Sequence, residues 1–404
     1  MRDRLLGIEP KDYDVATSAL PQEIARLFPQ AIAVGAHFGV LLVDGIEVAT
    51  YRSDHDYQDG RRPDRVSYET EPRQDVLRRD FTINALLLDP LTGDVLDFVE
   101  GRRDLRDRII RTVGEPDRRF AEDYLRMLRA VRFATRLGFI LDPAALSAIQ
   151  SLAPRIREIS AERIRAELAR ILTEGSARRG FELLDQSGLL REILPEVAVM
   201  KGVEQPPEFH PEGDVWVHTL LMLEQLHEPS VTLALGVLLH DVGKPPTFRV
   251  AERIRFDGHV EVGAEMAAAI LHRLRFSTDE IAQVKALVAN HLRFKDAPRM
   301  RASTLKRFLR MDRFDEHLEL HRLDCLSSHR NLDNYEFVRR KLAEIPPEAL
   351  KPPRLLTGRD LIAAGYTPGP AFREILEAVE TAQLEGRVST REDALALARG
   401  IIGP

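Results

Sequence analysis

The sequence predicts an α/β head followed by an all-α remainder. Short β-branched runs are confined to the first 100 of its 404 residues. A hairpin turn signal, Asp44-Gly45, separates two of them. From about residue 104 strand signals stop and apolar residues recur at helical spacing.

In chain order, residues 31–36, 38–43 and 46–51 read as strands, the last two joined at Asp44-Gly45. Residues 84–88 and 95–99 read as a second hairpin around Pro90-Leu91-Thr92-Gly93. Between them the polar stretch 52–71, rich in Asp, Arg, Gly and Pro, is too long for a simple turn. Loops of that length tend to be functional or disordered. Helical periodicity then fills 120–136, 143–152, 160–173 and 179–190. A proline-bearing break at 205–211 precedes a second helical block at about 215–342. Pro346-Pro347 and Pro352-Pro353 set off a tail of two helices ending near residue 400. The expected division is a head at 1–110, a helical neck at 111–200, a helical domain at 205–342 and a tail at 350–404.

Composition narrows the class. With 44% hydrophobic and 30% charged residues the chain has core material for two to four domains. Its longest apolar stretch, 231–239, is far short of the roughly 20 residues a bilayer requires. No basic-then-apolar leader opens the sequence, so a soluble, cytoplasmic protein with no membrane partner is expected. The lone Cys325 excludes an intrachain disulfide framework and a thiolate zinc site. A net charge of −6 argues against a simple nucleic-acid coat. Of the 58 basic residues only 8 are Lys, and guanidinium makes planar, bidentate contacts to phosphate. A GC-rich genome would itself favour Arg codons, so location carries more than the total. Residues 101–136 hold eleven Arg against six acids, and this segment is the candidate for a phosphate-bearing partner.

Two constellations carry chemistry. In Lys11-Asp12-Tyr13-Asp14-Val15 the carboxylates stand two residues apart, which on a strand puts Asp12 and Asp14 on one face and Tyr13 on the other. Side-by-side anions repel, and a pair of divalent metals relieves that while clamping the attacking and leaving oxygens of a phosphoryl displacement. Glu47, on the 46–51 strand, offers a third carboxylate. By itself a D-x-D is weak, since most are solvated strand ends or turns.

The surroundings are far more specific. Residues 2–17, Val34-Gly35-Ala36-His37-Phe38-Gly39, Glu47-Val48-Ala49-Thr50-Tyr51-Arg52, Asp59-Gly60-Arg61-Arg62-Pro63-Asp64, Arg78-Arg79-Asp80-Phe81-Thr82-Ile83-Asn84-Ala85 and residues 122–133 follow in order. Together they resemble bacterial CCA-adding enzymes and poly(A) polymerases, class II of the polymerase-β-like nucleotidyltransferases. The resemblance implies a mixed-sheet head in which Asp12 and Asp14 hold two Mg2+ ions with Glu47 in support. It implies that Arg79 contacts the incoming nucleotide, that Asp123 and Arg126 read the Watson–Crick edge of C or A, and that Arg2, Arg129 and Arg132 face phosphates and sugar. At about 100° per residue Asp123, Arg126, Arg129 and Arg132 form one helical stripe, with Tyr124, Met127, Leu128 and Val131 on the other side. Family members normally carry a helix, a central strand and a Gly-Gly pair ahead of Arg2-Asp3. The sequence starts at Met1 without them, and a start codon recorded too late is the expectation.

The second constellation is His218, His240-Asp241, His259, His291 and Asp324. Imidazole with carboxylate suits Mn, Fe, Ni or Mg, imidazole favouring the transition metals. The order resembles the HD superfamily of metal-dependent phosphohydrolases, in which Asp241 would bridge two metals that activate water against a phosphoester. His37, His55, His210, His227, His272, His317, His321 and His329 read as surface or core. In the tail, Leu356-Thr357-Gly358-Arg359-Asp360-Leu361 and 365–372 resemble the end of HD-bearing members. There Gly369-Pro370 reads as a helix start and Phe372 as a packing anchor.

The leading reading is a CCA tRNA nucleotidyltransferase acting on the tRNA 3′ end with CTP and ATP. A poly(A) polymerase or an A-only or CC-only enzyme shares its chemistry. Retention of Asp59–Asp64 favours A addition, because a shortened loop goes with CC-only members. An HD metallophosphohydrolase with an inactive RNA-binding head, and a non-enzymatic RNA-binding protein, are readings of a different class.

Overall fold

The computed structural model describes residues 1–10, 12–35, 39–55, 65–208 and 210–402. They form two compact units, one of 1–202 with 223–234 and 269–277, the other of 203–222, 235–268 and 278–404.

The head sheet has strands β1 (Asp14–Thr17), β2 (Ile32–Gly35), β3 (Val40–Val43) and β4 (Ile46–Thr50), standing in the order β1-β4-β3-β2. β3 and β4 are the expected hairpin, with Val43 opposite Ile46. Asp44 and Gly45 take φ values of 49° and 85°, the left-handed pair that a two-residue turn between twisted strands demands. β1 lies parallel to β4 with Asp14 opposite Glu47 and Thr17 opposite Thr50. One face is closed by the helix Pro21–Leu27, whose Ile24 packs on Leu41 and Val43. The other face carries Asp14 and Glu47 and is open.

Three expectations need correction here. The polar stretch 52–71 is not a plain loop: β5 (Arg52–His55) and β6 (Arg65–Tyr68) pair antiparallel, Arg52 opposite Tyr68. Its tip, including Asp59–Asp64, lies outside the described residues, as do Ala36-His37-Phe38. Strand does not end near 104, because Ile109–Ile110 pairs parallel with Ile140–Leu141. Two-residue strands are too short to leave a period in the sequence. The span 179–190 divides into the helices Ala177–Gln186 and Leu189–Ile193, broken at Gly188 with φ 79°. The second hairpin is present as Leu87–Leu88 with Val95–Leu96.

The neck is helical: Pro116–Glu122, Leu125–Leu137, Pro143–Leu152 and Ala161–Thr173 lead into the two helices above. Their fully buried Met127, Leu128, Ile149, Leu168 and Phe181 supply the core. The second unit holds residues 215–222, 235–239 and 259–268 of three helices and the whole of the helices Thr278–Asn290, Ala302–Leu309, Phe314–Ser327 and Asp333–Glu344. The tail packs Leu356, Leu361, Ile375, Val379 and Ala394 into a small core. Pro370 directly precedes the helix Ala371–Leu384, and Phe372 packs on that core, as expected. Among the described residues no helix is long and apolar enough to cross a membrane.

Candidate active site and metal centre

β1 begins at Asp14, so Asp12 stands in the segment leading into the strand and not on it. Strand alternation therefore does not place both carboxylates, which corrects the expected geometry. Parallel register does place Asp14 beside Glu47, both exposed on the open face. Partial burial and the neighbouring Asp12 raise the Asp14 pKa against the pull of Arg79. A bound cation would relieve that repulsion, although Asp12, Asp14 and Glu47 do not bring their ligand atoms within 4.8 Å of one another as the HD residues do.

Behind these carboxylates the Arg78–Ala85 segment forms a network. Arg79 donates to Asp75 Oδ2 at 3.0 Å and to the Asn84 carbonyl at 3.0 Å. Asn84 Oδ1 accepts from Arg2 at 2.6 Å, and its amide donates to Asp80 Oδ1 at 3.2 Å. Arg129 donates to Asp80 Oδ2 through Nε at 2.8 Å and Nη2 at 2.6 Å. Arg2, Arg79 and Arg129 are thus drawn together through Asp80 and Asn84. Phe133 underlies them, with Arg2 and Arg129 guanidiniums 4.9 and 5.4 Å from its ring centre.

The expected four-residue stripe holds only in part. Asp123 has extended backbone between two helices, its carboxylate accepting the Leu125 N–H at 3.0 Å and pairing with Arg163 at 2.6 Å. Arg126 donates to Glu122 at 2.6 Å and to the Arg119 carbonyl at 3.0 Å. Arg132 is only 4% exposed and bonds Glu167 at 2.6 Å. It points into the neck instead of toward a nucleotide, because it falls on the helix face that packs against Ala161–Thr173. Tyr124, Met127, Leu128 and Val131, expected on the side away from that stripe, are buried.

In the second unit all six expected residues converge. His218, His240 and Asp324 offer ligand atoms within 4.8 Å of one another, and so do Asp241, His259 and His291. His240-Asp241 closes the apolar helix Val231–Leu239, and the following turn passes close to the His259–Arg273 helix. A Cβ on Gly243 would lie 2.1 Å from the His259 carbonyl oxygen, so only glycine permits that approach. His218 Nε2 is 3.2 Å from Asp324 Oδ1, and His259 and His291 Nε2 are each 3.9 Å from Asp241 Oδ1. The Nε2 atoms of His218, His240 and His259 are buried without a hydrogen-bond partner among the described residues. Orphaned lone pairs facing carboxylates fit a cation.

Burial opposes charge on Asp241 and Asp324, yet His240 and Lys244 hold the first well below its usual range and His218 the second. Burial would lower His218 too, but Asp324 and Glu212 outweigh it and raise its pKa to about 9. Burial takes His291 down to about 4. Lys244, 2.7 Å from Asp241 and 2.6 Å from Gln205, was visible in the sequence only as the residue after Gly243. His210 and Glu212 were missed altogether; both belong to this cluster, and His210 is neither plain surface nor core.

Three domain families match the chain: the poly A polymerase head domain over residues 1–111, the probable RNA and SrmB-binding site of polymerase A over 138–201, and the HD domain over 214–327. The chain is 45% identical over 202 residues to the CCA-adding enzyme of Geobacillus stearothermophilus, covering 49% of this chain and 50% of that one. It is 36% identical over 234 residues to that of Latilactobacillus sakei subsp. sakei, covering 56% and 59%. The chain thus spans about half the length of the curated relatives it matches. The crystal structure of the Bacillus stearothermophilus CCA-adding enzyme with CTP superposes with a TM-score of 0.72 at 26% identity, over 99% of this chain and 91% of that one. The Thermotoga maritima CCA-adding enzyme complexed with tRNA shares the fold, with a TM-score of 0.57 at 20% identity over 100% and 89%.

Proposed function

We propose that this chain, which matches a poly A polymerase head domain and an HD domain, is a CCA-adding enzyme, transferring CMP and AMP from CTP and ATP to the tRNA 3′ end. The observation that carries the reading is Asp14 beside Glu47 on the open sheet face, with Arg79 close enough to act on Asp14. A relative bearing that name, 45% identical over about half of each chain, supports it. The proposed division is the head at 1–110, the neck at 111–200, the HD domain at 205–342 and the tail at 350–404, in a cytoplasmic protein.

Asp12, Asp14 and Glu47 would hold two Mg2+ ions, which when bound supply charge neutralisation at the α-phosphate and a more acidic 3′-hydroxyl. The 3′-hydroxyl gives up its proton to solvent as its oxygen forms a bond to the α-phosphorus, the bond from that phosphorus to the bridging oxygen breaks, and pyrophosphate leaves. Arg79, braced by Asp75 and the Asn84 carbonyl, meets the triphosphate. Arg2 and Arg129 flank phosphate and sugar, held by Asn84 and Asp80. Asp123 and Arg126 present an acceptor and a donor set to the base edge, exchanging Arg163 and Glu122 for it. Arg132 stays with Glu167 and supports the neck.

The test is incorporation. With a tRNA ending before CCA, the purified chain adds two C and one A from CTP and ATP and excludes UTP and GTP. A long A tail from ATP alone would indicate a poly(A) polymerase, and no addition of any nucleotide would overturn the reading.

His218, His240, Asp241, His259, His291 and Asp324 would hold a divalent transition metal, Mn, Ni or Fe, or Mg2+, which supplies an activated water against phosphoesters. Lys244 offsets the charge of Asp241 and Gln205 fixes the ammonium. His240→Ala with Asp241→Ala then removes Mn2+ binding and hydrolysis of a 2′,3′-cyclic nucleotide while sparing nucleotide addition. Loss of both activities at an unchanged melting temperature would contradict two separate sites.

A further inference from the structure

We propose that Glu212 is the positioning residue of His218, fixing the tautomer and aim of that imidazole toward a divalent cation, and that His210 steadies Glu212 from the other side. The inference rests on the ligand reading of the HD residues just given. The other three imidazoles share one device. His240 Nδ1 donates to the Val237 carbonyl at 2.8 Å, His259 Nδ1 to that of Phe256 at 2.8 Å, and His291 Nδ1 to that of Val288 at 2.7 Å. A carbonyl only accepts, so in each neutral ring the proton sits on Nδ1 and the lone pair on Nε2.

His218 does not use this device. The carbonyl three residues before it, that of Val215, accepts from the Thr219 hydroxyl at 2.8 Å. A carboxylate takes its place: Glu212 Oε1 lies 2.7 Å from His218 Nδ1 and 2.9 Å from His210 Nδ1. Glu212 arrives from the irregular stretch before the Val215–Glu224 helix, so no helical spacing sets the contact. The His210 and His218 rings meet edge to face with centroids 5.0 Å apart. Glu212 Oε2 is buried with no partner among the described residues, so both donors converge on a single oxygen. A carboxylate behind an imidazole holds it more firmly and makes it a stronger base than an amide carbonyl does.

The three residues also have ligand atoms within 4.8 Å of one another, and a cation seated among them is the competing arrangement. It would need both Nδ1 atoms without protons. Calorimetric titration of the full chain with Mn2+ separates the two, with Co2+ absorption as the signature of ligand geometry. Glu212→Ala should weaken Mn2+ binding about 10- to 100-fold and alter the Co2+ spectrum, with the number of ions per chain unchanged. Glu212→Gln, whose amide oxygen still accepts from Nδ1, should restore much of the affinity, and His210→Ala should cost less than Glu212→Ala. Wild-type affinity in both Glu212 variants would overturn the assignment, as would one fewer ion per chain in them. If Glu212→Ala does not fold, Glu212→Met, which fills the space but cannot accept from Nδ1, replaces it: wild-type affinity and spectrum in that protein overturn the assignment, and weakened binding at full stoichiometry supports it. Failure of the wild-type chain to bind Mn2+ would instead overturn the ligand reading itself, and this inference with it.

Discussion

Arg132 Nε stands 2.6 Å from Glu167 Oε2, tying the helix Leu125–Leu137 to the helix Ala161–Thr173 through two buried charges. Burial pulls the Arg132 pKa below its ordinary range despite the attraction of Glu167, so desolvation dominates the pair. Glu167→Leu alone should cost about 3–5 kcal/mol, because it leaves a buried guanidinium in the neck with only Glu174, 3.8 Å away, as a counter-charge. Adding Arg132→Met should return most of that loss. Urea unfolding of both variants measures it, and a double variant as unstable as the single one would contradict the account.

Arg126→Ala should loosen discrimination among the four nucleoside triphosphates more than it weakens tRNA binding. A polar pocket rejects a wrong base by leaving donors and acceptors unpaired, and Arg126 supplies the donors. Its present partners are Glu122 and the Arg119 carbonyl of the preceding helix, with a longer bond of 3.4 Å to the Arg78 carbonyl, so the fold should survive. Comparing incorporation of CTP, ATP, UTP and GTP checks this. Unchanged exclusion of UTP and GTP would remove Arg126 from base reading.

His317 gives a pH prediction. It is 1% exposed, neither ring nitrogen has a hydrogen-bond partner among the described residues, and burial lowers its pKa to about 4. The unfolded chain takes up this proton near pH 6.5 and the folded chain only near 4, so stability is full above the first value and falls as pH drops toward the second. The slope in that window is up to about 1.4 kcal/mol per pH unit for one histidine. His321, also lowered by burial to about 4, adds to it. His317→Leu should flatten the slope and raise the melting temperature at pH 5, since it removes two unpaired polar atoms. A slope equal to wild type would refute this.

Much of the fold was legible because local physics and tertiary structure agree. Asp44-Gly45 announces its hairpin because few other residue pairs accept two positive φ values. The apolar helix ending in His240-Asp241 announces a buried site because a charged pair after so apolar a run must find partners. Legibility failed where neither period nor spacing is present. β5 reads Arg-Ser-Asp-His, with no apolar residue to mark a strand, and the alternation of Arg-Val-Ser-Tyr in β6 runs for only four residues. The helical stripe was misplaced at both ends because periodicity does not show that Asp123 interrupts the helix or which face the neck covers. Glu212 and His210 were invisible because they precede a helix, and only the His-Pro-Glu run six to eight residues before His218 hinted at them.

The central claim is that nucleotide addition runs through the carboxylates on the open sheet face. It is tested most directly by radioactive CMP and AMP incorporation into tRNA lacking CCA, comparing the wild-type chain with Asp12→Ala, Asp14→Ala and Glu47→Ala. Loss of addition by at least about 100-fold in both Asp variants, a smaller loss for Glu47→Ala and unchanged melting temperatures is the predicted result. Near-normal incorporation by Asp12→Ala or Asp14→Ala would contradict it.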